Sequence, residues 1–240
     1  ASRMASLLEE MNSTLLDIRS YGEQRSGTVR IAASQTISAH LMPQCLAASQ
    51  KSYPDINVIL HDRMQQVVLQ SVRNAEVDFG IVIGPLNDSD LDCQSILEEP
   101  FLLLCRSDDP LAAVDTAQWR MLAGRDVVLQ DYASGSRVLI DAALRRQQVE
   151  INVVQDIGHP ATLFPMVDAG IGISILPALA LPLPAGRALT VRRLYPEINR
   201  SLMLVKRKNR SLTPAAQAIW QEARQQATLL TQQRTINPAF

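Results

Sequence analysis

Three short polar clusters stand where apolar runs give way to stretches with helical spacing. Ser34-Gln35-Thr36 follows Val29 and Ile31, Ser134-Gly135-Ser136 follows Val127 to Leu129, and Gly158-His159-Pro160-Ala161-Thr162 follows Val153-Val154. Hydroxyls and the unpaired backbone N–H groups of a helix start can hold a carboxylate, sulfate or phosphate. Any one cluster is accounted for by a simple helix cap. Three together, at the carboxyl ends of strands where open α/β folds gather ligands, describe the walls of a binding cleft.

Catalytic chemistry finds no comparable set, and the chain reads as a binding module and not an enzyme. GxSxG, HExxH and the P-loop pattern are missing, and Gly170-Ile171-Gly172 precedes a strand, so it does not place amides at a helix start. Glu98 and Glu99 are neighbours and point to opposite faces of a strand. His40, His61 and His159 are scattered, and the three cysteines, Cys45, Cys93 and Cys105, are odd in number with no CxxC spacing. This excludes a disulfide scaffold or structural zinc site and fits a reducing cytoplasm; no metal and no cofactor is expected.

The elements that must hold these clusters follow from periodicity. TVRIAA, NVILH and VDFGIVIG read as strands, separated by the amphipathic runs SQTISAHLMPQCLAASQ, where Pro43 bends or disturbs the helix, and MQQVVLQSVRNA. A second cycle brings strands EEPFLLLCR, DVVLQ, INVVQDI, GISIL, LTVRRL and SLMLVKR, with helices GSRVLIDAALRRQ and ATLFPMVDAG, the latter closed by Gly170. A last helix starts at Thr213 as N-cap with Pro214 behind it, and its face with Ile219 and Ala223 docks on a sheet. The βαβ rhythm indicates parallel sheets covered by helices. Periodicity leaves open which of the two units the last helix covers.

At the start, Met4, Leu8, Met11, Leu15 and Ile18 recur at the spacing of a helix that pairs with another, either intermolecularly or back on its own domain, and residues 20–27 read as its exit. The opening ASRMASLLEEM has neither a signal-peptide pattern nor a start methionine, and reads as cut from something longer. Residues 169–186 form the most hydrophobic uncharged stretch, but Pro177, Pro182 and Pro184 break it, giving a buried strand and a loop instead of a membrane span. The 240 residues are 47% hydrophobic, enough for one large core or two modest ones. Lys+Arg 23 against Asp+Glu 24 leaves a formal charge of -1, too little to hold a polyanion.

The order of TVRIAAS, YPDINVIL, EVDFGIV, EEPFLLLCRSDDPLA, VDAGIGISILP and RSLMLVKRKNRSLTPAAQAIW resembles the effector-binding region of LysR-type transcriptional regulators over nearly the whole chain. The resemblance implies two Rossmann-like α/β subdomains joined by two crossover strands, similar to type II periplasmic binding proteins, without a cofactor. It places subdomain I at residues 28–99 and 206–232, subdomain II at 100–205, the pairing helix and its exit at 1–27 and a tail at 233–240. The crossings would fall near residues 99–101 and 205–207, with the terminal helix returning to subdomain I.

It further implies a small-molecule effector, a small organic anion, between Ser34, Thr36, Ile37, Ile83 and Gly84 on one side and Gln130, Ser134, Ser136, Gly158, His159, Pro160 and Thr162 on the other. No positively charged side chain stands at residues 34–36, so strong anion binding would rest on amides or on a residue folded in from elsewhere. Cys93 and Cys105 are not placed like the sensor pair of peroxide-responsive members. The seam from Met4 to Ile18 resembles the end of a linker helix that pairs in a homodimer or homotetramer, and promoter DNA would be read by a winged helix-turn-helix preceding it. A stand-alone solute-binding protein is the alternative with the same bilobal fold.

Overall fold

The computed structural model describes residues 26–236; the seam at residues 4–18 and the last four residues lie outside the described residues. The alternation of TVRIAAS becomes β1 (Gly27–Ser34), with β2 (Ile56–Arg63) and β3 (Phe79–Gly84) parallel to it on its two sides. Two helices follow β1, α1 (Gln35–His40) and α2 (Met42–Ser52), separated by a turn at Leu41. Pro43 explains the break, because a ring without an N–H is tolerated in the first turn of α2 and not within a continuous helix. On the opposite face, α3 (Gln65–Arg73) buries Val68 and Val72 against Ala32 and Val82.

β4 (Leu91–Arg106) carries the chain from one lobe to the next. Residues 91–100 pair with β10 (Asn199–Arg207) in the first sheet, and residues 101–106 pair with β8 (Ile173–Pro177) and β9 (Leu189–Tyr195) in the second. The apolar run of EEPFLLLCR supplies the second half, where Phe101–Cys105 is buried on both faces. The first half alternates between covered and open positions, so its sequence signal is weaker.

The second lobe adds β5 (Thr116–Gln118), β6 (Asp126–Gln130), α4 (Gly135–Arg146), β7 (Asn152–Ile157) and α5 (Leu163–Asp168). Its strand order is β5-β9-β4-β8-β6-β7. Gly170, at φ 77, ends α5, its N–H donating to Val167 O while Ile171 N donates to Met166 O. The apolar stretch at residues 169–186 is β8, a 3-10 turn at Ala178–Ala180 and a loop. No helix among the described residues is long and apolar enough to cross a membrane.

β10 lies wholly in the first sheet, between β3 and β4, so the chain recrosses at residues 196–198 and not near residues 205–207. Residues 199–205 therefore belong to the first lobe. The reason is visible in their burial: Leu202 and Leu204 join the first-lobe core with Val29, Ile31 and Phe79. The last helix, α6 (Pro214–Ile236), covers that same core with Ile219, Trp220, Ala223 and Ala227, and Trp220 meets Phe79 edge-on at 5.3 Å between ring centroids. Thr213 Oγ1 caps it by accepting from Ala216 N at 3.2 Å. The helix runs on to Ile236, past the tail boundary expected at residue 233.

At the junction, Glu99 on β4 faces Arg200 on β10 in register, and both side chains are 0% exposed. Arg200 Nε donates to Glu99 Oε1 at 2.9 Å, with Nη2 2.7 Å from the same oxygen. Each partner also reaches into the second lobe. Arg200 Nη1 donates to Ser136 Oγ of α4 at 2.7 Å, and Glu99 Oε2 accepts from Leu179 N of the 3-10 turn. Removing one charge leaves the other buried and uncompensated. Arg200→Met is expected to lower the unfolding free energy by about 3–5 kcal/mol. Adding Glu99→Met should restore most of that loss, as measured by urea denaturation.

Candidate ligand-binding cleft

β1 ends at Ser34, β3 at Gly84, β6 at Gln130 and β7 at Ile157, so the polar loops that follow these strands face one another across the gap between lobes. An inner chamber of about 20 Å³ is lined from the first lobe by Ser34, Gln35, Thr36, Met64, Gln65 and Ile83. From the second lobe come Gln130, Ala133, Ser134, Gly135, Gly158 and Pro160. An outer chamber of about 320 Å³ shares Gln35, Thr36 and Pro160 with it, and opens between α1, β2 and the His159 loop as far as Phe164.

Of the anticipated residues, Ser34, Thr36, Ile83, Gln130, Ser134, Gly158 and Pro160 line the inner chamber and His159 the outer one. Four others line neither chamber. Ile37 and Ser136 are 0% exposed, Ile37 in the first-lobe core and Ser136 spent on Arg200. Gly84 packs against Met203, whose Cγ would stand 2.8 Å from a Cβ there. Thr162 ends the 3-10 turn Pro160–Thr162, its N–H donating to His159 O. Helical geometry separates such neighbours: Ser134 and Ser136 stand two apart at the start of α4, so their side chains leave the axis in different directions.

Ser34 is the notable wall residue. Its hydroxyl is buried, the residue being 6% exposed, yet it makes no hydrogen bond and does not cap α1. A buried polar group without a partner is costly, and this one lines a chamber where a ligand atom can supply the missing bond. Ser134 Oγ accepts from Ser136 N at 3.2 Å, which leaves its own hydrogen for donation. His159, a lining residue of the outer chamber, accepts from Ala161 N through Nδ1 at 3.3 Å.

The loop holding Gln130 and Ser134 is built by residues that hydrophobic patterning does not reveal. Asp131 Oδ1 accepts from Ala133 N at 3.0 Å and Asp131 O from Ser134 N at 3.1 Å, a turn that aims Ser134 back at the first lobe. Arg137, nearly buried, donates to Gln130 O at 2.9 Å and Asp156 Oδ1 at 2.5 Å, tying β6 to β7, and its guanidinium covers the Tyr132 ring. Across the gap, the Gln65 side chain acts as a strand partner for Ile83: Nε2 donates to Ile83 O at 3.1 Å and Oε1 accepts from Ile83 N at 2.9 Å. That amide lies against Gly135, where a Cβ would fall 2.6 Å from Nε2. Gln65 and Gly135 are a close approach of the two walls of the inner chamber, and its sequence sign is a glycine opening a helix after a polar loop.

The cysteines stand away from the cleft lining. Burial pushes the Cys45 thiol up to about 12 and that of Cys105 to about 11. Cys93 is exposed, and its thiol is also raised, by partial burial and by Asp88 and Asp92.

Comparison with known proteins adds to this geometry. Residues 22–228 match the LysR substrate binding domain. The chain is 59% identical over 240 residues to the uncharacterized HTH-type transcriptional regulator YfeR of Shigella flexneri, covering 100% of this chain and 78% of that protein. The CcmR regulatory domain of Synechocystis PCC6803, solved in complex with 2-PG, superposes with a TM-score of 0.76 at 23% identity, over 83% of this chain and 97% of that one. The effector binding domain of QuiR, in complex with shikimate, superposes at 0.77 and 20% identity, over 85% and 98%.

Gly135→Ala is expected to destabilise by about 1–3 kcal/mol, because the new methyl displaces Gln65 and leaves the Ile83 amide groups short of a partner. In a Gln65→Ala background the same change should be neutral or stabilising by up to about 1 kcal/mol, since alanine outranks glycine in a helix. A double-mutant cycle in urea reads the sign reversal. In native protein at pH 8, iodoacetamide should modify Cys93 alone, and slowly, with mass spectrometry locating the adduct. The Cys45 thiol ionises near 9.0 when unfolded and near 12 when folded, so its contribution to stability is whole below pH 9 and fades as the pH rises toward 12.

Proposed function

The chain belongs to the LysR-type transcriptional regulators, as an effector-binding domain with their periplasmic-binding-protein-like fold, and from that premise we propose that a small organic anion binds in the cleft between its lobes. This is a family of regulators and not of enzymes. The observation that carries the proposal is the buried, unpartnered hydroxyl of Ser34 in a chamber walled by both lobes. Gln130, Ser134 and Thr36 complete the donors, and the 2-PG and shikimate complexes of similar domains support an acidic ligand. A stand-alone solute carrier is not favoured by relatives named as regulators.

A ligand touching both walls binds one setting of the lobes better than others and so shifts their equilibrium. In the whole regulator that shift alters the spacing of DNA-binding heads paired through the seam Met4, Leu8, Met11, Leu15 and Ile18, in a homodimer or homotetramer acting in the cytoplasm. The coupling extends from the cleft to the junction, because α4 begins at Gly135 in the chamber and holds Arg200 through Ser136 one residue later.

Thermal-shift screening against small carboxylates, amino acids and sulfate, followed by calorimetric titration of the hits, tests the reading. Ser34→Ala should act in opposite directions on its two readouts. It removes an unsatisfied buried hydroxyl and raises ligand-free stability by about 1 kcal/mol, while weakening the hit by about tenfold. Hits whose affinity ignores Ser34→Ala and Gln130→Ala together would place binding outside the cleft.

A further inference from the structure

The two chambers differ in size and in chemistry, and the difference bears on what kind of anion fits. The inner one holds about 20 Å³, room for little beyond one or two waters or one compact polar group. Its walls offer hydroxyls and side-chain amides. The outer one, about 320 Å³, is within the range of small-molecule pockets. Much of its wall is apolar: Ala39, Leu60, Pro160, Ala161, Phe164 and Ala180. Ser38 also lines it, but its hydroxyl is spent on Ala33 O at 3.0 Å, so it offers no free donor.

Charge separates the chambers from a site for a dianion. Among the described residues, no lysine or arginine lines either one; Asp62 lines the outer chamber together with the imidazoles His40 and His159. A second anionic group placed there would lose water without gaining a guanidinium or ammonium partner, and would meet Asp62 instead. An apolar body gains from the same surroundings.

We infer that the ligand is an amphipathic monoanion: one carboxylate-type head held in the inner chamber by Ser34, Gln130 and Ser134, and a ring-sized or chain-like apolar body filling the outer chamber. This rests on the cleft being the effector site and narrows the organic anion to one class. It also assigns Ala161, an exposed residue of the 3-10 turn, to the wall that sets ligand size.

The test titrates the whole chain with two sets of probes. 3-Phenylpropanoate, cinnamate and hexanoate carry one charge and an apolar body, while succinate and inorganic phosphate carry the compact double charge. At least one monocarboxylate should bind about tenfold more tightly than either dianion. Ala161→Trp, which fills the outer chamber from its rim, should weaken that monocarboxylate by about tenfold while the ligand-free melting temperature stays unchanged. Tighter binding of succinate or phosphate that is lost in Ser34→Ala would overturn the ligand class and keep the cleft. Monocarboxylate binding indifferent to both Ser34→Ala and Ala161→Trp would overturn the class and the cleft together. Failure of all three monocarboxylates to bind overturns the class, with the cleft itself judged by the wider screen.

Discussion

The architecture turns on one buried ion pair. Glu99 and Arg200 stand opposite each other on the two strands adjoining the crossings, out of water, and each makes one further hydrogen bond to the other lobe. A buried pair of this kind is poor value as raw stabilisation, because desolvating both charges offsets much of their attraction. What it supplies is position. Arg200 accommodates one placement of Ser136, hence of the start of α4, and Glu99 fixes Leu179 at the end of β8.

That placement reaches the cleft directly. α4 opens at Gly135, whose missing side chain admits Gln65 from the opposite wall, and Gln65 is itself bound to the end of β3. Asp131 and Arg137 hold the intervening loop to β6 and β7. The inner chamber is therefore narrow because rigid elements meet there. The outer chamber is wider, bordered by α1, β2, the His159 loop, Phe164 of α5 and Ala180 of the 3-10 turn.

Much of this was legible in the sequence, for identifiable reasons. Strands such as VDFGIVIG and GISIL are buried on both faces and read as continuous apolar runs, and the hydroxyl clusters after β1, β6 and β7 sit at strand ends that any parallel sheet directs to one side. Side-chain direction within a helix start was less legible: Ile37 and Ser136 are near the right loops in sequence, but Ile37 packs in the first-lobe core and Ser136 bonds Arg200. The return crossing was misplaced because SLMLVKR is equally apolar in either sheet, and only its pairing with β3 and β4 assigns it. Gln65, Arg137 and the Glu99–Arg200 pair gave no periodic signal, since they work through specific side-chain hydrogen bonds and not through a repeating apolar face. Glu98 and Glu99 do point apart, one to solvent and one inward, but the partner of the buried one is 101 residues away.

The position of β10 has a consequence for how the molecule comes into being. The second lobe is assembled almost entirely from one continuous stretch of chain, whereas an interior strand of the first lobe's sheet, β10, and its covering helix follow that stretch in sequence and are synthesised after it. Until they emerge from the ribosome, β3 and the first half of β4 present bare edges, and the core around Phe79 lacks its lid. Nascent chains aggregate through such edges and apolar faces, and the first lobe, although begun before the second, is completed after it. By the same logic, a stop codon after residue 198 would remove the middle of a sheet and not merely trim an end.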